Sequence, residues 1–312
     1  MEKIKYTFLL PAYKATYFEE ALLSIKNQTY KDFKVLVSDD CSPEELEPIY
    51  NRTVGDDPRF TFRRNQENMG SKSLVSHWNL LVDLCDTDYL MMAGDDDVYD
   101  VRFLEEMDKL VVKYPEVDIL RARVIQIDGA NQKLREDAIY KEYASHLDFM
   151  AQIYYNNACL CVANYVYKTQ ALQRKGGFID FPLAWYSDFA TAIQQSENGL
   201  VNSKDALFYF RMSGINLSTQ KVRMSSREAF MKISATLQYS KWLKEALSSV
   251  ECVDKESSCT QQLVLLWGGQ NISGMISNYL PYLSLKDFVI VLREIKKQRL
   301  GAKHFLFLYL MK

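Results

Sequence analysis

The sequence predicts an α/β fold: a mostly parallel central sheet flanked by helices, followed by a helical segment at the C-terminal end. Over the first hundred residues, short apolar runs alternate with amphipathic helical patterns, and this order builds parallel sheets with helices on both faces. Polar or acidic turns directly follow three of the apolar runs, where ligands bind in such sheets. From about residue 225 onward the periodicity is almost entirely helical.

Each element of the first half is predicted by a local pattern. Apolar runs of strand length predict strands at 6–10, 33–37, 60–62 and 89–93. Apolar residues that recur at intervals of three and four predict helices at 18–25, 74–85 and 103–111. Pro43 and Glu44 are typical of a first helical turn, so we expect another helix there, with Ser42 as its N-cap and Glu45 as its capping-box partner.

The second half has a less regular pattern after Pro115. Strands are predicted at 117–127, which holds one or two, and at 160–167 and 207–211. Short helices are predicted at 144–155 and 188–195, and Gly176-Gly177 indicates a turn. Three longer helices are predicted at 225–247, 261–279 and 285–300.

The composition excludes several classes of protein. The chain has 312 residues, of which 48% are hydrophobic and 25% charged, so it is neither disordered nor fibrous. Its net charge of -2 argues against a globally basic nucleic-acid binder. Six cysteines without a CxxC pair, and only three histidines, argue against a zinc or His-rich metal site. With no signal peptide and no apolar stretch of about 20 residues, we expect a cytoplasmic protein with free thiols.

Acidic residues are concentrated after the fourth predicted strand. Ten acidic side chains and a single arginine lie within 83–108, and Asp95, Asp96 and Asp97 are consecutive there. Three adjacent carboxylates repel one another, and a divalent cation such as Mn²⁺ or Mg²⁺, which prefers oxygen ligands, would compensate for that repulsion. The alternative is a solvated acidic turn.

Two other strand ends carry candidate ligand-binding residues. Asp40 follows the second strand, where a carboxylate can accept hydrogen bonds from a base or a ribose. Tyr13 follows Pro11 at the end of the first strand, where an aromatic ring can stack on a flat base, or can simply pack in the core.

The combination of motifs resembles glycosyltransferase family 2. The matching features are a Pro-x-Tyr turn, a Gln-Thr-aromatic step, an Asp-Asp strand end, Asn-x-Gly, a helical Asn and a DxD motif. They correspond here to Pro11–Tyr13, Gln28-Thr29-Tyr30, Asp39-Asp40, Asn68-Met69-Gly70, Asn79 and Asp95–Asp97, in family order over residues 4–107. The resemblance implies the GT-A fold, with a nucleotide-sugar-binding half at 1–107, an acceptor-binding half at 108–222 and a helical extension at 223–312.

The resemblance also implies roles for individual residues on the donor side. Tyr13 would stack on the base, Asp40 would bond the base edge, and Asp95 would approach the ribose. Asp96 and Asp97 would hold the metal at the diphosphate, and either one could be its direct ligand. The remaining donor-binding positions that it implies are Pro11, Asn68, Gly70 and Arg211, the last of which has a structural ion pair as its alternative.

The family's catalytic carboxylate precedes a helix in the second half, and Asp188 matches that position. It would act as the general base in an inverting transfer, whereas the alternative is a charge favoured at a helix N-terminus. Ser187 is then expected to be a cap. Asn216 and Ser218 are expected in a lid over the donor.

Two departures from the family pattern stand out. Cys41 occupies the position after Asp-Asp that is often glycine in the family. Ser213 stands where many members carry the histidine of a Tyr-Arg-x-His sequence, so any role of that histidine is lost or moved.

The last 25 residues are basic and then apolar, with six Lys or Arg and one Glu after residue 287. This pattern is typical of peripheral attachment to an anionic membrane surface. The alternatives are a helix docked on the body of the protein and a dimer partner.

The function that the sequence predicts is transfer of a sugar from a nucleotide-diphosphate donor, most simply a UDP-sugar, to a hydroxyl acceptor. The resemblance implies a glycan or lipid-linked glycan as the acceptor, in polysaccharide assembly. The first alternative is a nucleotidyltransferase that makes nucleotide sugars, but residues 11–17 lack the glycine-rich, basic loop that it needs. The second is a non-catalytic sugar-binding module, from which a working Asp188 would distinguish this protein. No GxGxxG follows the first strand, which disfavours an NAD enzyme.

Overall fold

The computed structural model describes residues 4–155, 158–214 and 224–310. In these ranges one sheet has the strand order β3-β2-β1-β4-β9-β6-β10-β5, with β7 paired to β6 and β8 to β10. The strands are β1 Tyr6–Ala12, β2 Phe33–Asp39, β3 Phe60–Arg64, β4 Tyr89–Met92, β5 Val98–Tyr99, β6 Ile119–Ile127, β7 Lys133–Glu136, β8 Tyr143–Ala144, β9 Tyr165–Lys168 and β10 Leu200–Arg211.

The strand directions confirm the predicted fold class. The pairs β1–β2, β1–β4, β2–β3 and β6–β10 are parallel. Strand β9 is antiparallel to both β4 and β6, so β6 and β10 run in the same direction as β1–β4. The carboxyl ends of all six strands therefore lie at one edge of the sheet, which is where α/β proteins bind ligands.

Helices cover both faces of the sheet and continue to the C-terminal end. They are α1 Phe18–Lys26, α2 Leu46–Val54, α3 Gly70–Leu84, α4 Phe103–Lys113, α5 His146–Tyr154, α6 Thr169–Arg174, α7 Ser187–Gln195, α8 Ser226–Ser248, α9 Lys255–Tyr279, α10 Leu285–Lys297 and α11 Ala302–Leu310. This confirms the C-terminal helical extension. No helix within the described ranges is long and apolar enough to cross a membrane.

Alternating strand residues build two separate cores. In β1, Phe8 and Leu10 pack with α1, α2 and α4 on one face, whereas Leu9 packs on the other. The second face also holds α3, α5, α7 and the C-terminal helices in one continuous apolar cluster. The extension is therefore part of the core on that face, which matters for the site described below.

Two predicted strands have different bounds in the structure. Residues 162–164 form a 3-10 turn before β9, because the Asn164 side chain donates to the Ala122 carbonyl oxygen and accepts the Cys161 N–H. The prediction of a strand at 160–167 was therefore wrong for its first half. Strand β10 begins at Leu200, seven residues before the predicted start, and an irregularity between Asn202 and Ala206 interrupts its pairing.

Two predicted helix caps are also wrong. Helix α2 begins at Leu46, and the Ser42 hydroxyl accepts the Glu44 N–H and donates to the Tyr13 carbonyl oxygen instead of capping a helix. At α7 the Ser187 hydroxyl accepts the Phe181 N–H, so it fixes the preceding turn and does not cap the helix. Neither hydroxyl accepts an N–H group of the helix that follows it.

Candidate active site

The turns that follow β1 and β4 are joined by an aspartate. Asp95 Oδ2 accepts the backbone N–H groups of Tyr13 and Lys14 at 2.7 and 2.9 Å. Burial raises the pKa of Asp95 despite these two donors. The hydrogen bonds hold the acidic turn against the Pro-x-Tyr turn, so two of the predicted donor-binding segments form one wall.

The Tyr13 ring is the exposed part of a fixed turn. Its N–H is held by Asp95, its carbonyl oxygen accepts the Ser42 hydroxyl at 2.6 Å, and its side chain is 39% exposed. Pro11 pairs in register with Ser38 of β2 just before this turn. An exposed ring on a fixed backbone is available to stack on a planar ligand.

Asp40 is buried and is bound to the Asn-x-Gly turn. Its carboxylate accepts the Asn65 side-chain N–H₂ at 2.8 Å and the backbone N–H groups of Met69 and Gly70 at 2.9 and 2.7 Å. A Cβ on Gly70 would lie 3.0 Å from Asp40 Oδ2, which explains the small residue there. Asn68 accepts the Ser71 N–H at 2.8 Å. The two predicted motifs are therefore parts of one hydrogen-bonded unit.

The backbone at Cys41 explains the glycine preference at this position. Cys41 has φ +54°, in the left-handed region that glycine adopts most readily. Asp39 fixes the turn from the other side, since it accepts the Ser42 N–H at 2.8 Å and pairs with Arg64. A non-glycine residue is held here in a conformation that disfavours a side chain.

Asp96 and Asp97 are adjacent buried carboxylates. Asp96 Oδ2 is buried and has no hydrogen-bond partner among the described residues. Burial, and secondly the charge of Asp95, raise the pKa of Asp96 to about 6. Burial and then the charge of Asp96 raise the pKa of Asp97 well above its ordinary value. Two crowded, poorly solvated carboxylates favour a bound cation.

The donor set suits a cation that keeps open coordination positions. A Cβ on Gly94 would lie 2.8 Å from Asp97 Oδ2 and 3.4 Å from Asp96 Oδ1, so both oxygens border the same small space. Across residues 4–155, 158–214 and 224–310, no three His, Cys, Asp or Glu side chains converge as a metal-binding group. Mg²⁺ and Mn²⁺ can bind to one or two carboxylates and complete their shell with phosphate and water.

Arg211 is a structural residue of this edge. Its backbone N–H donates to Asp97 Oδ1 at 2.9 Å, and its Nε donates to the Asp96 carbonyl oxygen at 2.7 Å. Its two terminal nitrogens bind Glu20 and Asn131 at 2.7 and 2.5 Å, and its side chain is fully buried. The guanidinium is held by protein acceptors, which favours the ion-pair alternative over the predicted contact with a diphosphate.

Asp188 lies in the first turn of α7, as predicted. Its Oδ1 accepts the Phe189 N–H at 2.9 Å, and burial raises the pKa of Asp188 to about 6. Burial, and then the charges of Asp97 and more weakly Asp188, raise the pKa of the buried Cys161 thiol. The acidic turn and the α7 carboxylate therefore act on the same region of the protein interior.

The backbone that leads to Asp188 is strained. Leu183, Ala184 and Tyr186 have φ values of +61°, +55° and +70°, all in the left-handed region. Such a conformation costs about 1–3 kcal/mol for each non-glycine residue, and it persists only where surrounding contacts enforce it. This cluster immediately precedes α7, so the orientation of Asp188 depends on those contacts.

Several functional features of this edge lack a sequence signal. Glu20 and Arg211 meet across 191 positions, and nothing in either local pattern predicts their pairing. The strained segment at 183–186 contains no glycine that would mark a left-handed turn. The predicted lid residues Asn216 and Ser218 lie outside the described residues.

Several solved structures have a similar fold. The structure of S. aureus TarS residues 1–349 in complex with UDP-GlcNAc has a TM-score of 0.69 at 13% identity, covering 98% of this chain and 90% of that one. The same protein with UDP has a TM-score of 0.68 at 13% identity, with coverage of 97% and 83%. Mannosyltransferase PcManGT from Pyrobaculum calidifontis, in complex with GDP-Man and Mn²⁺, has a TM-score of 0.56 at 14% identity, with coverage of 97% and 84%.

Sequence comparison identifies the family directly. An uncharacterised glycosyltransferase of Methanocaldococcus jannaschii, MJ1057, is 29% identical over 121 residues, which span 38% of this chain and 41% of that protein. The family model described as Glycosyl transferase family 2 matches residues 7–176, more than half of the chain. The match includes every predicted donor-side motif from Pro11 to Asp97. The chain therefore belongs to glycosyltransferase family 2.

Proposed function

We propose that this protein is an inverting glycosyltransferase that moves a sugar from a nucleotide-diphosphate donor, in the first instance a UDP-sugar, to a hydroxyl acceptor. The observation that carries the proposal is a set of poorly solvated carboxylates at one sheet edge. Asp96 and Asp97 after β4 are buried, and Asp188 at the start of α7 is partly exposed but has a raised pKa. The first two can neutralise a diphosphate through a cation, and Asp188 can accept a proton. The UDP-bound and UDP-GlcNAc-bound structures with the same fold support the choice of donor.

On the donor side, the exposed Tyr13 ring would stack on the base. Asp40 holds the Asn68–Gly70 turn by two backbone hydrogen bonds and accepts a third from Asn65, so that turn and the Asp40 carboxylate would form the edge that meets the base. Asp95 Oδ2 is occupied by two backbone donors, and its second oxygen would approach the ribose.

Asp96 and Asp97 would hold a Mn²⁺ or Mg²⁺ ion. When bound, the ion acts as a Lewis acid on the diphosphate, whose departure leaves negative charge on oxygen. The unpartnered Asp96 Oδ2 supports this assignment because a buried carboxylate oxygen without a donor is costly unless a ligand satisfies it.

Asp188 would act as the general base. As the acceptor oxygen forms its bond to the anomeric carbon, the bond from that carbon to the diphosphate breaks, and the acceptor proton passes to Asp188. Attack opposite the leaving group inverts the configuration. A pKa of about 6 suits this role, because the carboxylate is ionised at neutral pH yet is more basic than an exposed aspartate.

The acceptor would be a glycan or a lipid-linked glycan. The basic and apolar C-terminal residues 288–310 support contact with a membrane that would carry a lipid-linked acceptor. One face of α11 presents Lys303, Leu306, Phe307 and Leu310 to solvent at helical spacing. The basic residues at 296, 297 and 299 precede it. A basic and apolar helix face suits the surface of an anionic membrane. A homodimer contact through this face is the alternative.

The proposal is tested by incubating the protein with UDP-GlcNAc, UDP-glucose, UDP-galactose and GDP-mannose in Mn²⁺, and by identifying the products. We expect release of the nucleoside diphosphate from one donor, with transfer to water or to an added sugar acceptor. Formation of pyrophosphate from a nucleoside triphosphate and a sugar phosphate would instead identify a nucleotidyltransferase. Binding of a donor without turnover, with or without a panel of acceptors, would favour the non-catalytic module.

A further inference from the structure

We propose that the C-terminal helices α8 and α9 position the catalytic carboxylate, with Tyr239 and Lys232 acting through Tyr186 and Trp185. This inference rests on the proposed function, because it assigns helices beyond the family-matched segment to the placement of Asp188. It makes Tyr239 and Lys232 positioning residues, which touch neither substrate nor reacting atoms.

The first contact is a ring stack against the residue that precedes α7. The rings of Tyr186 and Tyr239 lie 4.3 Å apart and nearly parallel, at 3°. The Tyr186 hydroxyl donates to Asn271 Oδ1 of α9 at 3.1 Å, and the Tyr239 hydroxyl is hydrogen-bonded to Tyr154. Tyr186 is therefore fixed at its ring face by α8 and at its hydroxyl by α9.

The second contact is a cation held over an indole. The Lys232 ammonium lies 4.7 Å from the centroid of the Trp185 ring and 5.2 Å from that of Tyr279. Lys232 is only 7% exposed, and Glu228, one turn earlier, lies 3.6 Å from its nitrogen. Trp185 and Tyr279 also meet edge to face at 6.1 Å. A buried cation between two rings fixes Trp185 between α8 and α9.

These contacts act on the strained segment. Leu183, Ala184 and Tyr186 are left-handed, and without enforcing contacts the chain would relax toward ordinary backbone angles. Asp188 is the second residue of α7, so rotation about the Tyr186 backbone would displace its carboxylate. The partners of Trp185 and Tyr186 named above belong to α8 and α9, apart from their contacts with each other and with Phe189. The helices therefore hold the conformation that places the base.

The environment of Asp188 provides a readout that global stability alone would not change. Among the described residues, Asp188 interacts electrostatically with Cys161, Tyr165, Tyr167, Tyr186 and Tyr239. All are neutral at pH 7 when buried, so desolvation sets the behaviour of this carboxylate. Loss of the Tyr239 or Trp185 contact would admit water and lower the pKa of Asp188 toward that of an exposed aspartate.

The test uses the full chain with its best donor in Mn²⁺ and compares Tyr239→Leu and Lys232→Met with matched controls. Tyr239→Phe keeps the stack and loses only the hydroxyl, and Lys232→Arg keeps the cation. Phe288→Leu removes a different stack of the extension, with Tyr309, which is distant in sequence from the strained segment. Donor affinity, kcat, its pH profile and the thermal midpoint are measured for each protein.

We expect Tyr239→Leu and Lys232→Met to lower kcat about tenfold to a hundredfold, because small displacements of catalytic groups have effects of this size. Donor affinity should stay within about twofold of the wild type, and the acid limb of kcat should move to lower pH. We expect the wild-type kcat, and the wild-type position of its acid limb, in Tyr239→Phe, Lys232→Arg and Phe288→Leu. If kcat falls in proportion to the loss of thermal midpoint in every variant, including Phe288→Leu, the effect is one of global stability and the positioning role is wrong. If wild-type protein turns over no donor, the proposed function fails instead.

Discussion

At the scale of single residues, the acidic turn Asp95–Asp97 places three adjacent carboxylates where they are poorly solvated, which costs folding free energy. Asp95 is compensated by two backbone donors, whereas Asp96 Oδ2 is left without a partner among the described residues. The pKa values of all three aspartates are raised, chiefly by burial. Without a cation, this turn therefore opposes folding at neutral pH.

This makes a prediction about stability and pH. Between about pH 4 and 6 the unfolded chain has released the Asp96 proton, while the folded chain, in which the pKa is about 6, retains it. Because the folded state then binds more protons, its stability falls as pH rises through this window. The rise in the pKa of Asp96 to about 6 corresponds to roughly 3 kcal/mol.

Asp96→Asn removes this titration, together with the Asp96 charge that raises the pKa of Asp97. In EDTA, we expect the variant to gain stability relative to the wild type by about 2 kcal/mol between pH 4 and 7, by urea unfolding. Mn²⁺ should stabilise the wild type at pH 7 and not the variant. A difference between the two proteins that is independent of pH and Mn²⁺ would contradict the proposed metal site.

Cys41 gives a second prediction at this scale. Its φ of +54° is strained for any residue with a Cβ, at a cost of about 1–2 kcal/mol. Cys41→Gly should therefore raise the free energy of unfolding by about 1 kcal/mol, after allowing for the greater entropy of unfolded glycine. Cys41→Ala should be close to the wild type and Cys41→Val less stable. Equal stability of the glycine and valine variants would show that the turn is unstrained.

At the scale of elements, the motif residue Asn79 joins α3 to the turn after α6. Its side chain accepts the Phe178 N–H at 2.7 Å and donates to the Phe178 carbonyl oxygen at 3.0 Å. Gly177 has φ +82°, and a Cβ there would lie 2.4 Å from Asn79 Oδ1. The predicted Gly-Gly turn is confirmed, and it brings the second half of the sheet domain against the donor-side helix.

A matched pair of glycines separates backbone strain from steric clash in this joint. Gly176 has φ +84° and open space at its Cβ, so Gly176→Ala should cost about 1 kcal/mol from strain alone. Gly177→Ala should cost at least about 2 kcal/mol because the clash adds to the strain. In an Asn79→Ala background the two alanine variants should become equal. If Gly177→Ala is still less stable than Gly176→Ala in the Asn79→Ala background, a contact other than Asn79 causes the extra loss of stability.

Much of the element order could be predicted because strand and helix periods are local properties. The apolar runs at 6–10, 33–37 and 89–93 all form strands, whose ends differ from the prediction by at most two residues. The errors arose where a side chain binds a backbone group that is distant in sequence, as Asn164 does before β9 and Ser42 before α2. The site motifs could likewise be predicted from local sequence, whereas the ion pair between Arg211 and Glu20 joins residues that are 191 positions apart.

At the scale of the whole molecule, the C-terminal extension shares a core with the catalytic domain and leaves one helix face uncovered. Phe305 of α11 is buried, whereas Phe307 is 62% exposed beside basic residues. We expect the protein to co-sediment with vesicles that contain phosphatidylglycerol and not with phosphatidylcholine alone, since each basic residue contributes about 1 kcal/mol near an anionic surface.

Phe307→Glu should abolish this vesicle binding, while Leu285→Glu, at a residue 70% exposed on α10, should leave it unchanged. Light scattering distinguishes the alternative: if Phe307→Glu instead converts a dimer to a monomer and no vesicle binds the wild type, the face is an interface between two copies. If the wild type neither binds vesicles nor forms a dimer, the exposed face of α11 is neither a membrane contact nor a dimer interface.

The central claim for the molecule is that donor binding and proton transfer lie on different carboxylates of one sheet edge. Asp188→Asn tests it, with Asp180→Asn as the control, because Asp180 lies in the same connection and bonds only the Ser73 hydroxyl among the described residues. Calorimetry with UDP in Mn²⁺ and turnover of the active donor are measured together. We predict that Asp188→Asn binds UDP within about twofold of the wild type but loses at least about a hundredfold in turnover, whose acid limb in the wild type lies near pH 6. Retained turnover in Asp188→Asn, or an equal loss in Asp180→Asn, would contradict the account.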